Sequence, residues 1–232
     1  MRLNKFISET GLCSRRAADE LISTGRVSIN GQRAELGTPV NDGDEVRVDN
    51  RTIAARQQKH VYLAINKPVG ITCTTERHIK GNIIDFINHP QRIFPIGRLD
   101  KDSDGLILLT SNGDIVNEIL RSENNHEKEY VVTVNKPITE AFIKDMSKGV
   151  NILDTRTKPC AVIRINKNTF RIILTQGLNR QIRRMCEAFG YDVQRLQRIR
   201  IINIKLGQLR IGQWRDLTEQ ELQGLLPQWT AW

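Results

Sequence analysis

The amino-acid sequence predicts an α+β fold: a small module of two helices and a hairpin, then a larger domain with a mixed, largely antiparallel sheet and flanking helices. Helical and strand patterns do not alternate strictly along the chain, which argues against a parallel sheet built from βαβ units. No G-x-G-x-x-G segment follows a predicted strand, so a dinucleotide-binding sheet is also disfavoured. The turn dipeptides Asn30-Gly31 and Asp42-Gly43 lie beside short apolar segments, as they do in antiparallel hairpins.

Residues 1–48 form the predicted small module. Apolar residues recur with helical spacing in the first seven positions, and Ser14 is a suitable N-cap for a second helix that Gly25 would end. Short strands are predicted at 27–29 and 45–48. Two helices and a hairpin in so few residues make a module rather than a complete enzyme.

The larger domain is predicted over residues 61–232, after a polar linker at 49–60 that lacks sustained periodicity. Strands are predicted at Val61–Asn66, Gly105–Thr110, Tyr130–Val134, Ala161–Ile165, Phe170–Thr175 and Val193–Leu206. Helices are predicted at Asn82–Asn88, Gly113–Arg121, Glu140–Lys148, Asn179–Phe189 and Glu219–Leu226. The last helix begins with a capping box from Thr218 to Glu221.

The composition favours a globular protein with a polyanionic partner. Hydrophobic residues make up 39% of the chain, enough for a packed core, and the formal net charge is +9. We expect a cytoplasmic protein, because the sequence has neither an apolar stretch of signal-peptide length at its N-terminus nor a run that approaches a membrane span. No C-x-x-C pair or zinc-type histidine spacing occurs, so no metal is expected. The four cysteines suit a reducing compartment and are Cys13, Cys73, Cys160 and Cys186.

Two basic clusters indicate that the polyanion is a nucleic acid. Between Arg171 and Arg215 there are ten arginines and lysines against two acids, and Arg180, Arg183 and Arg184 share one face of a predicted helix. The second cluster lies in the N-terminal module and comprises Arg2, Lys5, Arg15 and Arg16. A solvated basic face is the alternative interpretation, but this density of arginine is suited to phosphate and favours contact with a nucleic-acid backbone.

The stretch GRLDKDSDG, residues 97–105, places Asp100, Asp102 and Asp104 at alternate positions before a glycine. This pattern resembles the start of a calcium-binding loop. Counted from Asp100, however, the twelfth position is Ser111, where such a loop needs a bidentate acid, and an apolar run follows the glycine. The calcium interpretation is therefore disfavoured.

Asp100 differs from the two acids that follow it. An apolar approach from Ile93 to Ile96, and then Arg98, lead into it, so its carboxylate could be held ionised and aimed at a ligand. Nucleophilic or glycosyl chemistry needs such an arrangement. From the residues alone, a solvated turn and a catalytic carboxylate both remain open.

The acidic stretch also carries a resemblance to a known family. The segment PIGRLDKDSDGLILLT resembles the G-R-L-D signature of bacterial RNA pseudouridine synthases, and N-K-P-x-G at 66–70, EKEYVVTV and GLNRQIRRMCEAFG at 177–190 match further motifs in order. Residues 1–48 resemble an S4 RNA-binding module. The combination is similar to the RsuA-type ribosomal RNA pseudouridine synthases, and most like the RluF branch, which acts on 23S ribosomal RNA. The resemblance covers almost the whole chain.

The resemblance implies a mechanism and a catalytic set. Asp100 matches the obligatory aspartate, as nucleophile at C1′ or as base at C2′, and the sequence does not choose between these routes. Tyr130 matches the tyrosine that packs against the target base, although a tyrosine on a strand is also an ordinary core residue. Arg183 matches the basic residue that pairs with the aspartate. No cofactor or metal is implied.

The RNA contacts implied for the larger domain come from Lys67, Arg98, Arg180 and Arg184. Arg98 is a candidate to fill the space of a flipped base, with a structural role as the alternative. Lys67 is either a phosphate contact or a strand-end charge, and the structural role is favoured. Ser103 and Asn179 depart from many relatives, and we expect neither to touch the three catalytic residues. Alternative readings are the same chemistry on 16S ribosomal RNA or tRNA, or a ribosome-associated RNA-binding protein without activity. Nothing in the sequence requires more than a monomer.

Overall fold

The structure is a computed structural model that describes residues 1–54, 59–120 and 126–225. It divides into two compact units, Met1–Lys59 and His60–Trp232. Residues 55–58 of the predicted linker, and the ends of two predicted helices at Arg121 and Leu226, lie outside the described residues.

Two helices and a small antiparallel sheet make up the described part of the first unit. The helices are α1 (Leu3–Glu9) and α2 (Arg15–Ser23), and the strands are β1 (Val27–Ile29), β2 (Gln32–Arg33), β3 (Val46–Val48) and β4 (Arg51–Ile53), in spatial order β2-β1-β3-β4. The Ser14 hydroxyl accepts a hydrogen bond from the Ala17 N–H at 3.1 Å, so the predicted N-cap is confirmed. Ile7, Ile22 and Val46 lie in a common apolar core.

Strand β4 falls within the segment predicted to be a linker, so that prediction is wrong for residues 51–53. The strand pairs antiparallel with β3 through a two-residue turn. Both turn residues, Asp49 and Asn50, have positive φ, at 49° and 62°. This backbone is favoured in tight hairpins, and aspartate and asparagine tolerate it better than most residues.

The second unit contains one large sheet and helices on both of its faces. Its helices are α3 (Ile83–Ile87), α4 (Asp114–Leu120), α5 (Glu140–Ser147), α6 (Gln181–Glu187) and α7 (Glu219–Leu225). Its strands are β5 (Tyr62–Lys67), β6 (Phe94–Ile96), β7 (Asp104–Thr110), β8 (Lys128–Val134), β9 (Asn151–Ile152), β10 (Thr155–Arg156), β11 (Ala161–Arg164), β12 (Thr169–Leu174), β13 (Val193–Ile201), β14 (Ile204–Lys205) and β15 (Trp214–Asp216).

Within the described residues, nine of these strands form the large sheet. The main order is β11-β12-β8-β13-β7-β5-β15, with β6 paired to β7 and β14 paired to β13. The pairing of β7 with β13 is parallel, whereas the other described pairings are antiparallel. The predicted α+β fold with a mixed, largely antiparallel sheet is therefore confirmed.

Strand β7 lies at the centre of this sheet and is buried on both faces. Ile107 and Leu109 pack in one apolar cluster with residues of α3, α5 and α6, and Leu106 and Leu108 pack in a second cluster with residues of α4 and α7. A strand covered on both faces needs apolar residues at consecutive positions, which explains the run that follows Gly105. The start of β7 is thereby held rigidly.

Several elements differ from the prediction in detail. The long strand predicted from Val193 ends at Ile201, and a turn with Ile202 at φ 53° leads into β14. The short pair β9 and β10 and the edge strand β15 were not predicted. The capping box at α7 is confirmed, because the Glu221 N–H donates to the Thr218 hydroxyl at 3.2 Å and the Thr218 N–H donates to the Glu221 carboxylate at 2.9 Å. Within the described residues, no helix is long and apolar enough to cross a membrane.

Candidate active site

The candidate site is built around the turn that joins β6 to β7. The Ser103 N–H donates to the Asp100 carbonyl at 3.1 Å, which closes a β-turn over the intervening residues. From the segment after β5, the Gly70 N–H donates to the Lys101 carbonyl at 2.7 Å. The turn is therefore fixed from within and by the N-K-P-x-G segment.

Gly105 lets strand β13 approach this turn closely. Its φ is +109°, and a Cβ at this position would lie 2.3 Å from the carbonyl oxygen of Arg198. The two residues are partners in the parallel pairing of β7 with β13. Glycine is required here both by the backbone conformation and by the contact.

The three acids of the turn have different partners. The Asp104 side chain is 5% exposed and accepts hydrogen bonds from Arg195 at 2.9 Å and from Gln197 at 2.8 Å. Asp102 accepts two hydrogen bonds from Arg180, each 3.2 Å long. Because these acids are directed to separate arginines, they do not form a calcium-binding loop, and the described residues contain no cluster of acids, histidines or cysteines suited to a metal ion.

Asp102 is held as a carboxylate by the cations around it. Partial burial pushes its pKa up, but the hydrogen bonds from Arg180 and the charges of Arg183 and Arg180 outweigh this effect and leave the pKa below its usual range. The Asp102 side chain is 48% exposed, so this cluster stays in contact with water.

Asp100 is the least engaged acid of the three. Its nearest cation in the described residues is Arg180, whose Nη1 lies 3.6 Å from Oδ2 of Asp100. No described residue donates a hydrogen bond to its carboxylate, and 36% of the side chain is exposed. The carboxylate is therefore available to react with a ligand.

Arg183 is brought to the turn but does not pair with Asp100, so that implied pairing is wrong. Its Nη2 donates to the Asp102 carbonyl and to the Ser103 hydroxyl, both at 3.1 Å, and lies 3.3 Å from Oδ2 of Asp102. Its Nη1 donates to the Val193 carbonyl at 3.2 Å. The reason is position: Arg183 lies on the inner side of α6, where it is 7% exposed.

Arg180 takes the place that was expected for Arg183. It precedes α6 with a left-handed backbone, φ 48°, and its guanidinium reaches the carboxylates of both Asp100 and Asp102. Ser103 was expected not to touch the catalytic residues, yet it is fully buried and accepts from Arg183. Helical spacing alone could not identify these contacts, since their partners lie about 80 residues away.

Tyr130 lies on β8, two strands from Gly105. Arg198 of β13 is the residue between them, because it pairs with Gly105 on one side and with Tyr130 on the other. Tyr130 is 9% exposed and shares an apolar cluster with Leu99, the residue before Asp100. Within the described part of the chain, its hydroxyl has no hydrogen-bond partner. The ring is thus fixed and the polar end is available.

The RNA contact implied for Lys67 is wrong in this structure. The side chain is fully buried, and its ammonium donates to the carbonyls of Pro68 and Ile71, both at 2.9 Å. Burial lowers its pKa, although the nearby acids Asp104 and Asp102 oppose the shift. Lys67 holds the N-K-P-x-G segment beside the turn, which was the structural alternative.

The basic region from Arg171 to Arg215 is mostly engaged within the protein. Arg184 donates hydrogen bonds to the backbone and the side chain of Asn179. Besides the pairs of Arg180 and Arg183, the ion pairs described here are Arg171–Glu129, Arg195–Asp104, Arg200–Glu129, Arg200–Glu127 and Arg215–Glu221. The arginines of these pairs are therefore directed to acids of the same unit, although Arg171 and Arg195 remain partly exposed. The density and helical spacing of the arginines were evident from the sequence, but their acidic partners were not.

The remaining predicted RNA contacts are more accessible. Arg98 is exposed, and no described residue pairs with its side chain. In the first unit, Arg2, Arg15 and Arg16 are exposed, whereas Lys5 lies 3.5 Å from Glu9.

Two family models match this chain. One, for RNA pseudouridylate synthase, matches residues 61–188, and the other, for the S4 domain, matches residues 1–46. The chain is 58% identical over 223 residues to the dual-specificity RNA pseudouridine synthase RluF of Escherichia coli (strain K12), and the match covers 96% of this chain and 77% of that relative. The chain belongs to the RNA pseudouridylate synthase family.

The synthase has further similarities along its length. It is 36% identical over 234 residues to the ribosomal large subunit pseudouridine synthase B of Bacillus subtilis (strain 168), covering 97% of this chain and 95% of the relative. A crystal structure of a pseudouridylate synthase superposes with a TM-score of 0.72 at 28% identity, covering 97% of this chain and 100% of the other. The protein is an RNA pseudouridine synthase, an isomerase with an S4 domain, as its motifs predicted.

Proposed function

We propose that this synthase isomerises specific uridines in 23S ribosomal RNA to pseudouridine, with Asp100 as the reacting carboxylate. The Bacillus subtilis relative is named as a synthase of the ribosomal large subunit, which supports the choice of 23S ribosomal RNA as the substrate. The description of the Escherichia coli relative as dual-specificity favours a second RNA class, for which tRNA is our candidate.

The observation that carries the proposed role of Asp100 is that the three acids of the turn have different hydrogen-bond partners. Asp102 and Asp104 are committed to arginines, whereas Asp100 accepts no hydrogen bond from the described residues and remains partly exposed. A group that reacts with a ligand must be both placed and unoccupied. Asp100 meets both conditions.

The reaction breaks the N1–C1′ bond of uridine, turns the uracil over and joins C5 to C1′; C5 then loses its proton and N1 gains one, so that the product is an isomer of uridine. In our proposal Asp100 acts as nucleophile at C1′ or as base at C2′. Tyr130 packs against the base, and its unpartnered hydroxyl can assist removal of the C5 proton. Arg183 anchors the turn through its Asp102 and Ser103 contacts, and Arg180 supplies the positive charge beside Asp100.

A uridine within folded RNA must be flipped out to reach Asp100, which costs a few kcal/mol. We assign Arg98 to the space that the base vacates, because its exposed guanidinium is two residues from Asp100 and has no side-chain partner among the described residues. Arg180, which precedes α6, and Arg184, in the last turn of that helix, contact the RNA backbone beside the turn.

The first unit supplies further RNA affinity in this proposal. Residues 1–48 act as the S4 module, with Arg2, Lys5, Arg15 and Arg16 on the phosphates, and residues 61–232 act as the catalytic domain. The synthase works as a monomer in the bacterial cytoplasm, where ribosomal RNA is found. Within the described part of the chain, Cys13, Cys73, Cys160 and Cys186 form no disulfide, which is compatible with that reducing compartment.

The first test is pseudouridine mapping of total RNA from cells with and without this protein. The second is an assay of pseudouridine formation by the purified protein on 23S ribosomal RNA, 16S ribosomal RNA and tRNA. We expect the modification to disappear from one or more positions in 23S ribosomal RNA. A loss confined to 16S ribosomal RNA or tRNA would contradict the proposed target while leaving the chemistry intact. An unchanged map would favour the alternative of RNA binding without activity.

A further inference from the structure

Arg198 contacts the backbone on both sides of Asp100. It lies at the centre of β13 and is 3% exposed. Its Nε donates to the Leu106 carbonyl at 2.7 Å, and its Nη1 donates to the Arg98 carbonyl at 3.3 Å. The guanidinium therefore joins the approach to the turn with the strand that leaves it.

The same side chain also meets Tyr130. The guanidinium carbon lies 6.0 Å from the centroid of the Tyr130 ring, at the outer limit of a cation–π contact. The Arg198 backbone pairs with Tyr130 on β8 and with Gly105 on β7. One residue thus lies against the Tyr130 ring and bonds to the backbone before and after Asp100.

Stability alone does not account for a buried arginine at this position. No described acid pairs with the guanidinium, and its Nη2 is buried without a hydrogen-bond partner among the described residues. Burial of an incompletely bonded cation costs free energy, and apolar residues of similar volume often serve a core better. Lys67 adds a second buried cation nearby, which raises this cost.

We propose that Arg198 is a positioning residue for pseudouridine formation. Its planar fork fixes the Arg98 and Leu106 carbonyls while its face lies against Tyr130, and so sets the distance between the Asp100 carboxylate and the tyrosine ring. This inference rests on the proposed roles of Asp100 and Tyr130. Arg198 lies beyond the residues 61–188 matched by the synthase family model.

The test is the Arg198→Lys variant of the full chain. Lysine keeps the charge but cannot donate in two fixed directions. We expect kcat on the RNA substrate to fall about 100-fold, as a small misplacement of a reacting group can cause. KM, and the Kd for the RNA measured by fluorescence anisotropy, should stay within about twofold of wild type, because Arg198 does not contact the substrate.

Arg200→Lys is the matched control. It makes the same substitution two residues along β13, where the arginine pairs with Glu129 and Glu127 instead of with the turn. We expect its kcat to equal that of the wild type. An equal loss in both variants would show a general effect of the strand and would overturn the proposal.

Arg198→Met is a second variant, which removes the buried charge and keeps an elongated side chain. We expect it to fold and to lose at least as much kcat as the lysine variant. Wild-type kcat in either folded variant, or a loss confined to RNA affinity, would overturn the proposal. Failure of both variants to fold would assign Arg198 to stability and would equally overturn it.

Asp100→Asn, assayed in parallel, separates this inference from the proposed function. If that variant is inactive and Arg198→Lys turns over normally, the role of Arg198 alone is refuted. If Asp100→Asn retains wild-type turnover, the assignment of Asp100 itself fails.

Discussion

The guanidinium of Arg180 lies between two carboxylates of the same turn, 3.2 Å from Asp102 and 3.6 Å from Asp100. Both terminal nitrogens of Arg180 donate hydrogen bonds to the Asp102 carboxylate, whereas its contact with Asp100 is a longer ion pair. One acid therefore orients the arginine, and the other lies beside its charge and accepts no hydrogen bond from the described residues. The roles that we assign to the acids follow from this asymmetry.

Asp100→Asn should abolish pseudouridine formation, with kcat reduced by more than about 1000-fold. Asparagine has the same shape, but it is neither a nucleophile nor a base. RNA affinity should be largely retained, since Asp100 accepts no hydrogen bond within the described residues. Conversion of uridine in a synthetic stem-loop and the Kd for that RNA are the measurements. Asp154→Asn, at an exposed position whose positive φ suits asparagine, is the control and should be fully active.

Asp102→Asn should lower stability in a pH-dependent manner. The folded state depresses the pKa of Asp102, so the carboxylate stabilises the protein above about pH 4, the range of an unfolded aspartate, and this contribution is lost as pH falls through the depressed pKa. Because the side chain is 48% exposed, we expect a loss of about 1 kcal/mol, or about 2–4 °C in Tm, at pH 7.

The difference in Tm between wild type and Asp102→Asn should shrink when the melts are repeated at lower pH. Asp145→Asn removes a surface pair with Lys148, and its effect should be smaller at every pH. A difference in Tm that persists unchanged into acid would contradict an electrostatic role for Asp102.

Gly105→Ala should destabilise the second unit by more than about 3 kcal/mol, because the new Cβ would collide with the Arg198 carbonyl and the backbone has positive φ. Gly207→Ala separates the two causes. It also introduces a Cβ at positive φ, 56°, but meets no atom within 4 Å. We expect about 1 kcal/mol there, measured by urea unfolding. Similar losses in both variants would mean that the close approach of β13 is unimportant.

The double variant Arg2→Gln/Arg16→Gln should weaken RNA binding through lost phosphate contacts. Both arginines are exposed, and neither has an ion-pair partner among the described residues. We expect about a tenfold increase in Kd, and a decrease of about 1.5 in the slope of log K against log salt. The control is Arg26→Gln, since Arg26 is already paired with Asp49 at 2.5 Å. If the control and the double variant weaken binding equally, the proposed phosphate contacts are refuted.

Local patterns predicted most elements of the fold, because their signals lie within a few residues. Ser14 and Thr218 cap helices as predicted, and the apolar run after Gly105 is a doubly buried strand. Strand β4 escaped prediction, because an exposed strand of three residues carries no apolar alternation, although its Asp49-Asn50 turn was a readable signal.

The candidate site could be predicted in its residues but not in its pairings. Helical spacing placed Arg183 beside Arg180 and Arg184, yet a buried guanidinium depends on acceptors that the tertiary fold supplies. For Arg183 these acceptors are at Asp102 and Ser103. Whether an arginine faces RNA or an internal acid is decided by such distant partners, and composition cannot reveal it.

The parallel junction of β7 and β13 has a consequence for synthesis of the chain. Arg198 bonds to the Arg98 carbonyl, 100 positions earlier, so this part of the site needs a strand that is made late. At ~5–20 residues per second, about 5–20 s pass between the addition of Arg98 and that of Arg198. The compact unit Met1–Lys59 has been synthesised completely before the acidic turn is made. In the proposed assignment of roles, the unit that binds RNA is therefore synthesised before the strand that completes the site of modification.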